Sequence, residues 1–147
     1  MNISMKLKKL DARAVVPVYA SEFSAGADLY ACLDEAVTVA PGETKLIHTG
    51  LAMAIPEGMA GLIYARSGLA SKRGLAPANK VGVVDSDYRG EVMVALHNHG
   101  TEPQTVEHGE RIAQLVLAPV ITADFDVVDD LDSTARGTGG FGSTGTK

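Results

Sequence analysis

Two carboxylates, a hydroxyl, a phenol and a guanidinium are concentrated in one short stretch of the chain, Gly82-Val-Val-Asp-Ser-Asp-Tyr-Arg-Gly90. An apolar run leads into this stretch and an alternating run leaves it, so the pattern predicts two strands joined as a β-hairpin. A hairpin needs only a short Asn-Gly or Asp-Gly turn, and this connection therefore carries more chemistry than folding requires. A carboxylate held here could accept a proton from water. The simpler interpretation is a solvated turn, because Asp suits turns.

A glycine-rich segment near the end of the chain, Gly137-Thr-Gly-Gly-Phe-Gly142, fits the pattern G-x-G-x-x-G. The dinucleotide-binding fingerprint also requires a preceding strand, a following helix and an acidic residue about 20 positions on, and the remaining chain is too short for them. Backbone N–H groups of such a segment can still bind a phosphate. Arg136 would add a fork-shaped cation, Ser143 and Thr144 hydroxyl donors, and Phe141 a flat face. The alternative is a flexible, solvated tail.

Three other places hold polar side chains that could bind an anion or a ligand. Arg66, Ser67 and Gly68 end a predicted strand just before a predicted helical turn, where Ser67 is either an ordinary N-cap or part of an anion site. Asp28 lies in a small, apolar run and is either a turn cap or a member of a charge network. Gln114 lies alone in an apolar run. A buried amide without a partner costs about 1–3 kcal/mol, so Gln114 needs a core backbone partner or a bound ligand.

The composition is typical of one folded domain and excludes several functional classes. The chain has 147 residues, of which 46% are hydrophobic, with a mean hydropathy of +0.09. A formal net charge of -5 argues against a non-specific nucleic-acid binder, which would present a basic face. The single Cys32 excludes an intramolecular disulfide and a cysteine-built zinc site, and the four histidines lack metal-type spacing with a third ligand. We expect no membrane span and a cytoplasmic location.

The apolar stretches are short and are interrupted by Gly, Pro or Asp, which predicts an all-β sandwich or barrel. The predicted strands are 14–19 (an edge strand, because it contains Pro17), 37–39, 44–55, 59–66, 81–84, 91–98, 112–120 and 125–128. The strand at 112–120 is apolar on both faces, so we expect it to be buried on both sides. One helical turn is predicted at 67–74, with Ser67 as its N-cap and Gly74 as its stop.

A shift in composition at Asp129 divides the chain in two. Residues 1–128 are predicted to form the β domain, and residues 129–147, rich in Asp, Ser, Thr and Gly, a flexible arm. Such an arm should be mobile unless a ligand or another subunit orders it.

Taken in chain order, these stretches resemble the motif series of the trimeric dUTP pyrophosphatases (dUTPases), over about 6–145. The matching motifs are Ala25-Gly-Ala-Asp-Leu-Tyr-Ala31, Arg66-Ser-Gly-Leu-Ala70, the 82–90 stretch within 79–98, Gly109-Glu-Arg-Ile-Ala-Gln114, and Arg136-Gly-Thr-Gly-Gly-Phe-Gly142. Any one of these motifs alone is weak, whereas all of them in this order are highly specific. Ala65 and Ala27 differ from the commonest family form, but neither supplies a side-chain function.

The resemblance implies an all-β jelly-roll homotrimer whose active sites lie at subunit interfaces. It also implies hydrolysis of dUTP to dUMP and pyrophosphate, which lowers dUTP and supplies dUMP for thymidylate synthesis. Mg²⁺ would be the cofactor, bound mainly by the triphosphate and linked to Asp28 through water. A related deaminase branch of the fold has an additional catalytic glutamate motif that this sequence lacks. A trimer that binds nucleotide or a protein partner without turnover is the alternative.

The resemblance also implies roles for individual residues. Asp85 is similar to the carboxylate that holds the attacking water, and Tyr88 to the ring under the deoxyribose. Asn79 resembles the residue that reads uracil. The phosphate contacts correspond to Arg66, Ser67 and Gln114, with Arg136 on the γ-phosphate and Phe141 over the base. The remaining positions implied to contact substrate are Gly68, Gly82, Val84, Met93, Gly142, Ser143 and Thr144.

Overall fold

The computed structural model describes residues 3–141, which form eleven β-strands and one short α-helix. The elements are β1 (Lys6–Lys9), β2 (Val18–Tyr19), β3 (Ala27–Tyr30), β4 (Val37–Val39), β5 (Thr44–Ala54), β6 (Met59–Tyr64), α1 (Ser67–Arg73), β7 (Leu75–Pro77), β8 (Gly82–Val84), β9 (Glu91–Asn98), β10 (Gln104–Val106) and β11 (Arg111–Pro119). The predicted all-β class with one short helical turn is confirmed.

The strands form two main antiparallel sheets around one hydrophobic core. The four-stranded sheet has the order β1-β5-β9-β7, and the five-stranded sheet has the order β2-β3-β11-β6-β8. A separate pair joins β10 to β4. Both sheets contribute to the same core, since it contains Ile47 and Leu96 from the first and Leu29 and Ile112 from the second. The core therefore lies between two sheets, as in a β-sandwich.

β9 shows how the sequence pattern becomes a strand face. Side chains alternate across a strand, so every second residue of Glu91–Asn98 faces the core. Val92, Val94 and Leu96 are buried, whereas Met93 and Ala95 on the opposite face are half-buried. The predicted boundaries and the alternation of the run are both confirmed, and the structure shows which of the two faces is buried.

The predicted hairpin between β8 and β9 is wrong. β8 pairs with β6 in the five-stranded sheet, whereas β9 pairs with β5 and β7 in the four-stranded sheet. Residues 85–90 therefore cross from one sheet to the other, and we call them the crossover loop. The alternation of side chains locates a strand and its buried face, but the choice of partner strand depends on residues far away in sequence.

Three other strand predictions are corrected. In 14–19 only β2 forms pairs, and Pro17, which has no N–H to donate, precedes it. β11 is not buried on both sides, because Val116, Leu117 and Ala118 are half-buried. Residues 125–128 form no strand: among the described residues the structure offers them no pairing partner, and Phe125 is 92% exposed. Four strands, β1, β3, β7 and β10, were not predicted from the sequence.

The helix boundaries match the prediction except at the N-cap. The N-cap residue is Arg66, which has extended φ and ψ angles of −86° and 127° and makes no side-chain capping hydrogen bond. Ser67 is instead the first helical residue. Gly74 ends the helix with φ 65°, and its N–H bonds to the carbonyl of Ala70. Arg73 then ties the helix end to the body of the protein through Glu110, with Nη1 to Oε1 at 3.1 Å.

The last strand ends at Pro119, and residues 120–141 contain neither helix nor strand. This segment begins earlier than Asp129, and its side chains are largely exposed. No helix in the described part of the chain is long and apolar enough to cross a membrane.

Candidate active site

A cavity of about 240 Å³ opens where the crossover loop leaves β8 and enters β9. It collects the predicted residues of this region from the turn before β8, from β8 itself, from the loop and from β9. We call it the crossover cavity. The residues that the sequence predicted as site residues and that line this cavity are Asn79, Gly82, Val84, Asp85, Tyr88 and Met93.

Tyr88 is held by one main-chain group of its own loop and one of the first residue of β9. Its hydroxyl donates to the carbonyl of Glu91 at 2.9 Å, and its N–H donates to the carbonyl of Asp85 at 3.2 Å. The ring lies against Gly90, where a Cβ atom would come within 2.6 Å of Tyr88 Cζ. Glycine at position 90 therefore makes room for the ring; Tyr88 lines the cavity and is 42% exposed.

Asn79 reaches the same cavity from a tight turn. The N–H of Lys80 bonds to the carbonyl of Pro77 at 3.1 Å, and Lys80 adopts a left-handed φ of 65°. The Asn79 amide lies beside Gly82, where a Cβ atom would be 3.2 Å from Nδ2. Asp85 follows β8 directly and is exposed. A carboxylate, an amide and a phenol thus face one small cavity, an arrangement suited to a polar, ring-containing ligand.

A second cavity, of about 520 Å³, lies beside the start of α1 and is called the helix cavity. It brings together site residues predicted from three distant motifs, Asp28, Arg66, Ser67, Gly68 and Gln114, and Gly26 also lines it. Asp28 and Gln114 are register partners on β3 and β11, so their side chains are neighbours across the sheet.

Asp28 belongs to a charge network, one of the two alternatives left open by the sequence. Its carboxylate is buried, with 7% exposure, and accepts from Arg66 Nε at 2.7 Å and from Arg111 Nη1 at 3.3 Å. A buried carboxylate needs such partners to offset the cost of losing water. Because Arg66 uses Nε for this bond, its terminal nitrogens are the donors that can reach an anion.

Gln114 has the core backbone partner that the sequence left as one alternative. Its Nε2 donates to the carbonyl of Ala65 at 2.9 Å. Its carboxamide packs against Gly26, where a Cβ atom would come within 3.1 Å of Gln114 Cδ. This bond fixes the amide at the wall of the helix cavity and supports the backbone just before Arg66.

The crossover cavity and the helix cavity have no lining residue in common. Within one protomer they are separate sites, one built around a carboxylate and a phenol and the other around a guanidinium and a helix start.

The predicted arm residues that the structure describes line neither cavity. Arg136 Nε bonds locally to the carbonyl of Gly139 at 2.8 Å, and Phe141 is fully exposed. Gly142, Ser143 and Thr144 lie outside the described residues.

The protein side chains of the site offer few free ligands for a metal ion. Residues 3–141 contain no group of three or more His, Cys, Asp or Glu side chains placed to hold a metal ion. Asp28, the predicted metal contact, already has both oxygens engaged by guanidinium groups. A Mg²⁺ ion here would therefore take most of its ligands from phosphate oxygens and water, which suits its reluctance to lose water.

Two kinds of reactive side chain do not belong to either cavity. Burial raises the pKa of the Cys32 thiol, which makes it a poor nucleophile. His97 and His99 lie edge to face, with ring centroids 4.4 Å apart, and His97 Nδ1 is 2.8 Å from Thr44 Oγ1. Their contacts are with each other and with a neighbouring strand.

Two residues of these sites, Arg111 and Glu91, were not predicted from the sequence. Arg111 lies inside the quoted motif that ends at Gln114, beside a register shift between Arg111 and Ala113, and its side chain bonds to Asp28. The signal available in the sequence was the position of this arginine, three residues before Gln114 in the same motif. Glu91 lines the crossover cavity and was assigned only as the start of a strand.

Comparison with known proteins assigns a family to this arrangement. The family model described as dUTPase matches residues 12–145. The chain is 52% identical over 141 residues to the deoxyuridine 5'-triphosphate nucleotidohydrolase of Hahella chejuensis, covering 95% of this chain and 93% of that protein. It is 53% identical over 146 residues to the protein of the same name from Tolumonas auensis, covering 96% and 97%.

Solved structures agree with the sequence comparisons. A variant dUTPase from phage 80alpha superposes with a TM-score of 0.87 at 30% identity, covering 97% of this chain and 99% of that one. Another variant of the Staphylococcus bacteriophage 80alpha dUTPase, bound to dUpNHpp, has a TM-score of 0.86 at 29% identity, covering 99% and 100%. A variant dUTPase from phage phi11 of S. aureus, 25% identical with a TM-score of 0.79 over 87% of this chain and 98% of that one, contains a structural Mg(II) ion.

Proposed function

The chain belongs to the dUTPase family, and we propose that it hydrolyses dUTP to dUMP and pyrophosphate. This reaction lowers dUTP and supplies dUMP for thymidylate synthesis. The observation that carries the proposal is the crossover cavity, in which Asn79, Asp85 and Tyr88 converge although two different sheets supply its walls. That convergence gives the family's nucleoside motif a physical pocket.

At the nucleoside end, each side chain has a separate task. Asp85 holds the attacking water and accepts its proton, which requires a distance of about 2.6–3.2 Å between the two oxygens. The ring of Tyr88 supports the deoxyribose and leaves no room for a ribose 2′-hydroxyl. Asn79 and the backbone at Gly82 and Val84 read the uracil edge, with Met93 lining the same wall.

At the phosphate end, the protein neutralises and orients charge, because a triphosphate repels an incoming water. Arg66, oriented by Asp28, and the hydroxyl of Ser67 bind phosphate oxygens. Gly68 and Gln114 complete this wall. Mg²⁺ bound to the triphosphate would polarise the phosphates and neutralise their charge, with Asp28 as its outer contact.

We propose that the active protein is a homotrimer in which different chains complete one site. Two observations support this: the crossover and helix cavities share no lining residue, and the segment 120–141, which leads into the arm, leaves large apolar side chains exposed. Phe125 and Leu131 are 92% and 87% exposed. In this proposal residues 1–128 form the barrel, and residues 129–147 form the arm.

The arm of one chain would close the site of another. Arg136 would contact the γ-phosphate and Phe141 the base, with Gly142, Ser143 and Thr144 beside the phosphates. A cytoplasmic location and the absence of nucleic-acid or membrane binding remain predictions of the sequence.

The activity is tested by pyrophosphate release from dUTP, UTP, dCTP and dTTP, side by side with Mg²⁺. We expect the rate of hydrolysis of dUTP to be well above the rates for the other three nucleotides. Hydrolysis of dUTP should stop when a chelator removes Mg²⁺. Release of ammonia from dCTP, measured in the same samples, would instead indicate the deaminase branch, because deamination leaves the triphosphate intact. Tight binding of dUTP with no hydrolysis in Mg²⁺ would favour the non-catalytic alternative.

Shared sites are tested by mixing two inactive chains, one carrying Asp85→Asn and the other truncated before Arg136. After joint unfolding and refolding, mixed trimers regain activity if the loop and the arm of one site come from different chains. Separately refolded samples of each variant are the control. Trimers that are shown to be mixed but stay inactive would mean that each chain completes its own site.

A further inference from the structure

We propose that Glu91 is a positioning residue for Tyr88 and thereby sets how strictly the site discriminates deoxyribose from ribose. The inference rests on the proposed function, because it concerns the ring that would lie under the sugar. Glu91 does not itself need to touch the sugar. Its side chain and its main-chain carbonyl make contacts that link the ring to a bulge in β5.

The bulge lies where β5 departs from regular pairing with β9. The two strands pair in register from Thr44 opposite His97 to His48 opposite Met93, and pairing resumes only at Ala52 opposite Glu91. Between these points Gly50 adopts a left-handed φ of 66°. A Cβ atom at Gly50 would lie 3.0 Å from Cys32 Sγ, so the bulge is also packed tightly from behind. Its backbone N–H is left without a strand partner and needs another acceptor.

The carboxylate of Glu91 supplies that acceptor. Oε1 accepts from the N–H of Gly50 at 2.8 Å, and Oε2 is hydrogen-bonded to His48 Nδ1 at 2.9 Å. The side chain is only 22% exposed, so both bonds are partly shielded from water. The other two acids of this neighbourhood, Asp11 and Asp34, are both engaged by Arg13, whose Nη2 lies 2.6 Å from Oδ2 of Asp11 and 2.6 Å from Oδ1 of Asp34. Glu91 is therefore the carboxylate that holds the bulge.

The main chain of the same residue holds the ring. The carbonyl of Glu91 accepts the hydroxyl of Tyr88 at 2.9 Å. Glu91 lines the crossover cavity. It also lines another cavity of about 300 Å³, distinct from the helix cavity and formed with His48 and Gly50. The residue thus lies in the wall between the two cavities, with its carboxylate bonded to the bulge and its carbonyl bonded to Tyr88.

Loss of the carboxylate should therefore be transmitted to the ring. Without its two side-chain bonds, the first residue of β9 keeps only its strand pairing with Ala52, so its carbonyl is held less firmly. Tyr88 then loses a fixed acceptor for its hydroxyl, and the ring can move away from the position that excludes a 2′-hydroxyl. Small displacements of positioning groups have large kinetic effects, so we expect the ratio of kcat/KM for dUTP over UTP to fall about tenfold.

The experiment compares Glu91→Ala, Glu91→Gln and the wild-type full chain, with kcat and KM measured separately for dUTP and UTP in Mg²⁺. Glu91→Ala should lower the ratio, with the change mainly in KM. Glu91→Gln should restore most of it, because an amide oxygen still accepts from Gly50 and the amide nitrogen can donate to His48. Glu35→Gln, at an exposed carboxylate before β4, is the matched control and should keep the wild-type ratio.

Stability is measured in parallel from the ligand-free melting temperature. If Glu91→Ala does not fold, His48→Ala replaces it, because that change removes one of the two bonds and should lower the ratio by a smaller factor. An unchanged ratio in folded Glu91→Ala, or in His48→Ala where it is needed, overturns the inference. An equal loss in Glu91→Gln also overturns it. Failure of the wild type to hydrolyse dUTP would instead overturn the proposed function.

Discussion

The crossover loop and the segment 120–141 both lack regular secondary structure, yet they are held in different ways. The loop is bounded by strands of two sheets, and its contacts return to its own surroundings: Tyr88 to Glu91, and Arg89 Nη1 to the carbonyl of Ser86 at 2.7 Å. The segment 120–141, which includes the described part of the arm, is tied to the β-sheets at its start, where the N–H of Val120 bonds to the carbonyl of Gly58 at 2.9 Å. Its later bonds, such as Arg136 to Gly139, stay within the arm.

The difference separates two tasks of one proposed site. Fixing the backbone of a residue costs about 1–2 kcal/mol, and contacts must offset that cost. The protomer itself offsets it for the loop, so the ring of Tyr88 is positioned before ligand arrives. For the arm, ligand or another chain has to supply the contacts. The loop is therefore suited to chemistry and the arm to closure.

The sharpest test of the loop is Asp85→Asn. We expect kcat on dUTP to fall about 10³-fold, because the amide cannot take the proton of the attacking water. The free energy of unfolding should change by less than about 0.5 kcal/mol, because Asp85 is exposed. The measurements are steady-state kinetics and chemical denaturation. Retention of more than a tenth of the activity would exclude Asp85 as the base.

Truncation before Arg136 tests the arm. We expect kcat/KM for dUTP to fall about 10²-fold, since the phosphates lose their closing contacts. The ligand-free melting temperature should stay close to that of the full chain, because the barrel does not depend on this segment. If melting falls strongly at every protein concentration, the arm is part of the folded framework and the contrast with the loop fails.

Gly90→Ala tests the fit of the ring within the loop. The new Cβ would come within 2.6 Å of Tyr88 Cζ, so the ring must move. Since the effect is steric, we expect KM for dUTP to rise about tenfold while the barrel remains folded. The readouts are KM and the circular dichroism spectrum. An unchanged KM would show that the position of the ring does not limit binding.

The smallest effect is expected for Ser67→Ala. Ser67 makes no capping bond, so the substitution should change stability by less than about 0.5 kcal/mol, whereas loss of a true N-cap costs about 1 kcal/mol. Loss of one phosphate hydrogen bond should raise KM about fivefold. Ser71→Ala, on the same helix, should leave KM unchanged, because Ser71 Oγ bonds to the carbonyl of Ser67. A clear loss of stability with unchanged KM would restore the capping interpretation.

The outcome of the sequence predictions follows the range of the forces involved. The alternation in β9 and the glycine stop after α1 were correctly predicted, because both depend on neighbours within a few residues. The strand at 125–128 was wrong, because a suitable pattern forms a strand only where a partner edge is available. The predicted N-cap, Ser67, was wrong, and the N-cap is Arg66. Two contacts with distant residues hold the chain at this point: the Arg66 side chain bonds to Asp28, and the carbonyl of Ala65 accepts from Gln114.

The amino-acid sequence alone determined which groups this protein could use: the carboxylate at Asp85, the phenol at Tyr88 and the guanidinium at Arg66. It also determined their local settings, because turns, stops and strand faces follow from φ/ψ preferences and side-chain period. Folding decided which of these groups meet. The pairing of β8 with β6, and of Asp28 with Arg66 and Gln114 across the five-stranded sheet, joins residues distant in sequence. Burial of a common core selects such pairings, and no local pattern encodes them.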